Sequence, residues 1–190
     1  MSVFLAVDLD APSRGEAVTL VETLRQAQDR PLRQAQGRAK LAAKWLRPDK
    51  LHCTLVFLGH PSADQIAAWV PGIDALALRH HPFSLRLAGA GTFVTSRAPS
   101  VLWLGVGGDL EALGAIQRDA VSVLGGGSKE DRAFIPHVTL ARSKVPGAFE
   151  ALAGELAGFV SSSFSVRGLS LYESSSEVYR VMHSSPLRET

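Results

Sequence analysis

Two short segments pair an imidazole with a hydroxyl at one spacing: Leu51-His52-Cys53-Thr54-Leu55 and Pro136-His137-Val138-Thr139-Leu140. In an extended strand, side chains two apart share a face, so each histidine stands beside its threonine while Cys53 and Val138 point the other way. Two such pairs brought together supply an acid, a base and two hydroxyl donors around one small anion. That set is what phosphodiester hydrolysis requires when no metal assists. A lone histidine in an apolar strand is ordinarily a satisfied core residue; the repeated threonine offset marks these two. His60, His80, His81 and His183 lack the offset and read as surface or loop residues. Cys53, on the face opposite His52, reads as a small core residue and not as a nucleophile.

The elements that would position these pairs recur in the same order. Apolar runs at 3–9 and 101–106 precede the two motifs, and Phe-Ser runs at 82–87 and 163–169 follow them. The pattern is strand, helix, His-x-Thr strand, helix, Phe-Ser strand, which predicts one two-lobed domain over 1–190 with pseudo-repeat halves of about 1–98 and 99–190. Helices are predicted after Asp10-Ala11-Pro12, with Ala17, Leu20, Val21 and Leu24 at helical spacing, and after Ser62, whose Gln65 makes a capping box. The second of these is expected to break at Pro71-Gly72. A third starts at Asp109 and stops at the glycines 125–127, and a fourth follows Pro146-Gly147 with Phe149, Leu152 and Leu156. Two last strands, 164–171 and 178–182, read as a hairpin. The glycines 125–127 either let 128–132 move over the cleft or serve as a plain connector.

The first half is longer because Leu24-Arg25-Gln26-Ala27-Gln28-Asp29-Arg30-Pro31 is repeated as Leu32-Arg33-Gln34-Ala35-Gln36-Gly37-Arg38-Ala39. Eight residues with one large apolar side chain cannot bury a core, so about 25–40 reads as a low-complexity insertion that prolongs a helix and then loops. Its five basic residues, Arg25, Arg30, Arg33, Arg38 and Lys40, stand against one acid, Asp29. They form either a basic arm or a solvated extension.

Composition narrows the class. With 190 residues and 46% hydrophobic content, the chain is long enough for one well-buried domain. A net charge of +2 does not suit a protein that coats duplexes, but it suits a cleft for a small or terminal phosphate. The single cysteine cannot form an intrachain disulfide or a zinc cluster. The apolar run at 3–7 is short, has no basic leader and is followed at once by acids, so it is neither signal peptide nor membrane span. A monomeric cytoplasmic protein without metal or cofactor is expected.

Phe4-Leu5-Ala6-Val7-Asp8-Leu9, the stretch from Trp45 through His52 and Thr54 to Gly59, and Phe134-Ile135-Pro136-His137-Val138-Thr139-Leu140-Ala141-Arg142 together resemble the bacterial and archaeal RNA 2′,3′-cyclic phosphodiesterases of the two-histidine phosphoesterase superfamily, also called 2′-5′ RNA ligases. The resemblance implies an α+β fold, bilobal and pseudo-twofold, with two antiparallel sheets facing a central cleft and helices outside. It implies hydrolysis of a 2′,3′-cyclic phosphate, at an RNA end or on a small nucleotide, to a 2′-phosphomonoester, with 2′-5′ ligation as a minor activity. It makes His52 the proton donor and His137 the acceptor, with Thr54 and Thr139 donating to phosphate oxygens. Arg132 and Arg142 would contact phosphate or RNA. By strict alternation, however, Arg142 falls on the face of Leu140, so its role near the phosphate needs a bend in the strand. Hydrolysis of 2′-5′ oligonucleotides or of ADP-ribose cyclic phosphate would need only a different base and sugar pocket. A non-catalytic nucleotide-binding module would need no pair of titrating imidazoles.

Overall fold

The structure, a computed structural model, describes residues 2–29, 43–95, 98–125, 133–175 and 178–189. Most of the octad insertion, and Arg132 with the segment before it, lie outside the described residues. The strands are β1 (Ser2–Asp8), β2 (Ala43–Trp45), β3 (His52–Gly59), β4 (Phe83–Thr95), β5 (Ala98–Gly108), β6 (His137–Ser143), β7 (Phe164–Val166), β8 (Gly168–Ser174) and β9 (Tyr179–Pro186). The helices are α1 (Ala11–Asp29), α2 (Ala63–Ala77), α3 (Leu110–Leu124) and α4 (Glu150–Glu155).

All strand pairs among the described residues are antiparallel, in the order β7-β4-β5-β6-β3-β1-β8-β9, with β2 added on β6. The two histidine strands are therefore neighbours at the centre. Where two sheets are expected, hydrogen bonding joins two four-stranded halves into one sheet through the pair Cys53–Val138. Both side chains are buried and of modest size, which lets the central strands approach. The halves also exchange strands: β4 pairs with β5, and β8 crosses back to β1. The run expected as one strand over 164–171 accordingly splits, β7 pairing with β4 and β8 with β1.

The helices cover one face. Cys53, Leu55, Val138 and Leu140 are buried with Ile73 and Leu76 of α2 and Leu113 and Ile116 of α3 in a common core. Ser62 and Gln65 form the expected capping box, Asp109 Oδ1 accepts the Ala112 N–H at 3.0 Å, and Gly125 ends α3 at φ 62°. Pro71 does not interrupt α2 as expected. Its ring is exposed, while Ile73, Leu76 and Ala77 beyond it are fully buried, and that burial outweighs one missing helical hydrogen bond. His80 and His183 are also less peripheral than expected. They pair with Asp119 at 3.0 Å and Asp74 at 2.7 Å, the second tying β9 to α2. No helix among the described residues is long and apolar enough to cross a membrane.

Candidate active site

His52 and Thr54 on β3, with His137 and Thr139 on β6, are half-buried, whereas Cys53, Leu55, Val138 and Leu140 between and beyond them are buried. The strand alternation thus puts both pairs on the face away from the helices. Carrying the Cys53–Val138 register one residue either way sets His52 opposite Thr139 and Thr54 opposite His137. The two imidazoles interact: a charge on His137 lowers the proton affinity of His52. Cys53 is no rival nucleophile, since complete burial pushes its thiol up to about 12.

Both histidines are held alike. His52 Nδ1 lies 2.8 Å from the Lys50 carbonyl, and His137 Nδ1 lies 2.8 Å from the Ile135 carbonyl, each two residues upstream. A carbonyl only accepts, so Nδ1 carries the hydrogen in both rings and Nε2 becomes the atom that exchanges protons. His52 Nε2 is 3.0 Å from Thr54 Oγ1, so the hydroxyl donates to the neutral ring.

Each motif also contains the same irregularity. Ala6 pairs with Thr54 but Leu5 with Val56, so Leu55 is an extra residue in β3. Trp103 pairs with Thr139 but Leu102 with Ala141, so Leu140 is an extra residue in β6. One bulged residue reverses the alternation beyond it. Leu55 and Val56 are both buried, as are Leu140 and Ala141, and the next residues, Phe57 and Arg142, turn out on the histidine side. The bend that Arg142 requires is therefore present, and its charge reaches His137.

Aromatic rings flank both imidazoles. Phe4 stacks on His52 at 4.6 Å with Tyr172 behind it at 5.2 Å, and Tyr179 meets His52 edge-on at 5.4 Å with Lys50 Nζ 4.6 Å from its centroid. Ala6, between Phe4 and Asp8 on that face, leaves room for the two rings to meet. Phe93 stands edge-on to His137 at 4.8 Å, and Trp103 lies 6.0 Å away with its buried Nε1 unpartnered among the described residues. Gly91 admits the Trp103 indole, because a Cβ there would collide with the ring.

Burial holds both histidines below the usual imidazole range. His52 is lowered to about 4, chiefly by desolvation, against the raising effects of the Lys50 carbonyl and the Asp8 carboxylate. Desolvation also lowers His137, with the Ile135 carbonyl opposing it and Arg142 assisting. Asp8 pairs with His52 across β1 and β3 and accepts hydrogen bonds from Ser170 Oγ at 2.6 Å and Tyr172 OH at 2.5 Å. These supports escaped sequence reasoning. The available signal was the period-two row Phe4, Ala6, Asp8, which places an acid on the face that must adjoin a neighbouring strand. Burial thus disfavours the charged form of both rings, and a bound anion would favour it.

The family model described as the 2′-5′ RNA ligase superfamily matches residues 15–177. Among curated relatives, the RNA 2′,3′-cyclic phosphodiesterase of Geobacillus stearothermophilus is 36% identical over 138 residues, 70% of this chain and 43% of that protein. That of Aquifex aeolicus is 30% identical over 55% of this chain and 57% of its own length, so the chain spans about half of these two relatives. The enzyme of the same name from Methanothermobacter thermautotrophicus is 31% identical over 90% of this chain and 88% of its own length. Among solved structures, TT0787 of Thermus thermophilus superposes with a TM-score of 0.72 at 27% identity, covering 99% of this chain and 98% of its own. Escherichia coli LigT complexed with 3′-AMP gives 0.69, also at 27% identity, with the same coverage of each chain. The match over most of the chain and the agreement in fold make this chain a member of the 2′-5′ RNA ligase superfamily.

Proposed function

We propose that this protein hydrolyses 2′,3′-cyclic phosphates, at RNA ends or on small nucleotides, to 2′-phosphomonoesters by metal-independent general acid–base catalysis. One observation carries the reading: two imidazoles on adjacent strands, each with Nδ1–H fixed on the carbonyl two residues upstream, so that both offer Nε2 on one face. A module that only binds nucleotide has no use for two tautomers fixed alike. Relatives named RNA 2′,3′-cyclic phosphodiesterase and a neighbour holding 3′-AMP support the substrate class.

In this mechanism His137 Nε2 takes a proton from water as its oxygen attacks phosphorus, and the bond from phosphorus to O3′ breaks. His52 Nε2–H protonates O3′, leaving the phosphate on O2′; the net change is addition of one water. Thr54 and Thr139 donate to the non-bridging oxygens, and Arg142 offsets their growing charge. The fields around the rings support this division of roles, since Asp8 favours a charged His52 and Arg142 disfavours a charged His137. Burial alone would keep His52 neutral, so the substrate's phosphate anion supplies the attraction that lets it carry a proton. With a 5′-hydroxyl attacking phosphorus in place of water, the same steps would break the bond to O3′ and join two ends through a 2′-5′ linkage. We place the protein in the cytoplasm as a single chain, in keeping with its one free thiol.

The test is to incubate the protein with an RNA oligonucleotide ending in a 2′,3′-cyclic phosphate and to identify the product. A 2′-phosphomonoester formed by the wild type and not by His52→Ala or His137→Ala is expected. A 3′-phosphomonoester, or unchanged substrate, would overturn the reading.

A further inference from the structure

The short strand β2 pairs with the second histidine strand so that Lys44 stands directly opposite Arg142. Residues opposed in an antiparallel pair share a face, and Trp45, facing the other way, packs against the core, so Lys44 lies on the histidine side with Arg142. Its strand is held in place, because the Leu46 N–H donates to the carbonyl of the bulged Leu140 at 2.8 Å. Like charges directly opposed on two strands repel. A lysine that only guarded a short strand against aggregation would serve as well opposite a neutral residue. Lys144, exposed just beyond β6, adds a third cation, and none of the three meets a carboxylate among the described residues. On the His52 side the cations are engaged: Arg47 pairs with Asp49, Arg180 pairs with Glu173, and Lys50 lies over the Tyr179 ring.

Positive charge placed without a counter-charge favours an anion. Arg142 serves the cyclic phosphate in the proposed hydrolysis, which leaves Lys44 for another. With the bulged residue counted out, Thr139 to Arg142 is two strand steps, roughly 7 Å, and Lys44 stands roughly 5 Å further across. In RNA the nearest anion to a cyclic end is the phosphodiester one nucleotide upstream, and one nucleotide spans such a distance. We propose that Lys44, backed by Lys144, forms a second anion subsite that takes this upstream phosphodiester, so that the protein favours the ends of RNA chains over cyclic mononucleotides. Lysine acts here as a point charge, which holds a phosphate whatever the sequence. The assignment rests on the proposed hydrolysis, from which it is separable by experiment.

The experiment compares wild type, Lys44→Ala and Lys44→Arg on three substrates: adenosine 2′,3′-cyclic phosphate, adenylyl-adenosine ending in a 2′,3′-cyclic phosphate, and that dinucleotide with an uncharged methylphosphonate link. Wild type should show its highest kcat/KM on the charged dinucleotide. Lys44→Ala should lower that value about tenfold, mainly through KM, the lower end for a hydrogen bond to a charged group. Lys44→Arg should restore it, and all three proteins should treat the mononucleotide and the uncharged dinucleotide nearly alike. For wild type, log KM on the charged dinucleotide should rise with log salt more steeply than for Lys44→Ala, by about 0.7 in slope. Equal losses on all three substrates, equal losses on the two dinucleotides, or no loss on the charged one would each overturn the subsite. If the wild type hydrolyses none of them, the functional reading fails by itself. Equilibrium binding of adenylyl-adenosine 2′-phosphate against adenosine 2′-phosphate then decides on Lys44 by the same comparison. Should Lys44→Ala not fold, Lys44→Gln against Lys44→Arg carries the test.

Discussion

Leu55 and Leu140 hold the same bulged place in β3 and β6, one residue beyond each threonine, and each reverses the facing of the chain that follows. The bulge adds one buried side chain to β6 while Arg142 comes out on the histidine face. Deleting Leu140 removes the bulge and lets Ala141 take its place opposite the core, so Arg142 keeps its facing and the loss is that of one buried leucine side chain, about 2 to 5 kcal/mol. The deletion should therefore lower the melting temperature markedly, whereas Arg142→Ala should leave it within a few degrees and raise KM for the cyclic phosphate. Thermal unfolding of the two variants side by side checks this; an equally stable deletion would mean that Leu140 contributes nothing to the core.

The shared mechanism sets how the catalytic variants combine. His52→Ala and His137→Ala should each remove most of kcat/KM, and the double variant should be little worse than the poorer single, because the two imidazoles serve one step. Thr54→Ala and Thr139→Ala should lose about 2.7 to 4 kcal/mol of transition-state stabilisation if they act as oxyanion donors, with serine at either position recovering most of it. Independent, additive losses at His52 and His137 would argue that they do not act together.

Asp8 should act through His52. Asp8→Asn keeps acceptor and size but removes the charge that favours a protonated His52. The fall in kcat/KM should be greatest at the alkaline end, where the acid is scarcest, and small near the acid end. A uniform loss across pH would assign Asp8 to packing alone.

Much of this site was legible in the sequence, and the remainder was not for physical reasons. The His-x-Thr spacing, the facing of Cys53 and the caps at Ser62 and Asp109 depend on local geometry, which a short window contains. The exchange of β4 and β8 between halves depends on pairing between residues far apart, as in Ala6 with Ser170 or Leu85 with Gly108. The bulges left a trace in the apolar doublets Leu55-Val56 and Leu140-Ala141, which break the period of two. Phe4, Tyr172 and Tyr179 converge on His52 from three strands, and no spacing along the chain reports that.

Pro71 offers a stability test away from the chemistry. It stands in the interior of α2 on the exposed side, where it removes one backbone donor, and the helix persists because Ile73, Leu76 and Ala77 are buried beyond it. Pro71→Ala should restore the hydrogen bond to the carbonyl four residues earlier and stabilise the fold by up to roughly 3 kcal/mol. Denaturant titration should show a higher midpoint with kcat/KM unchanged. A lower midpoint would mean that the ring itself stabilises the helix.

The depressed histidines link activity and stability to pH in opposite ways. For kcat/KM, which reports the free protein, an acid and a base that are both lowered should give a bell whose maximum lies below the ordinary imidazole value of 6.5. The limbs belong to the coupled pair and not to either ring alone. Bound substrate anion favours the charged imidazole, so the alkaline limb of kcat should lie at higher pH than that of kcat/KM. For stability the sign follows from proton counting. His52 titrates near 6.5 when unfolded and about 4 when folded, so the unfolded chain binds more protons between those values. Its contribution is intact above 6.5 and declines as pH falls toward 4, by roughly 3 kcal/mol in all. Thermal unfolding from neutral pH down to about pH 4.5, inside that window, should therefore show a steeper loss for the wild type than for His52→Gln, which carries no titrating ring. Parallel curves would mean that burial does not hold His52 neutral, and a flat kcat/KM profile would show that acid and base are not both histidines.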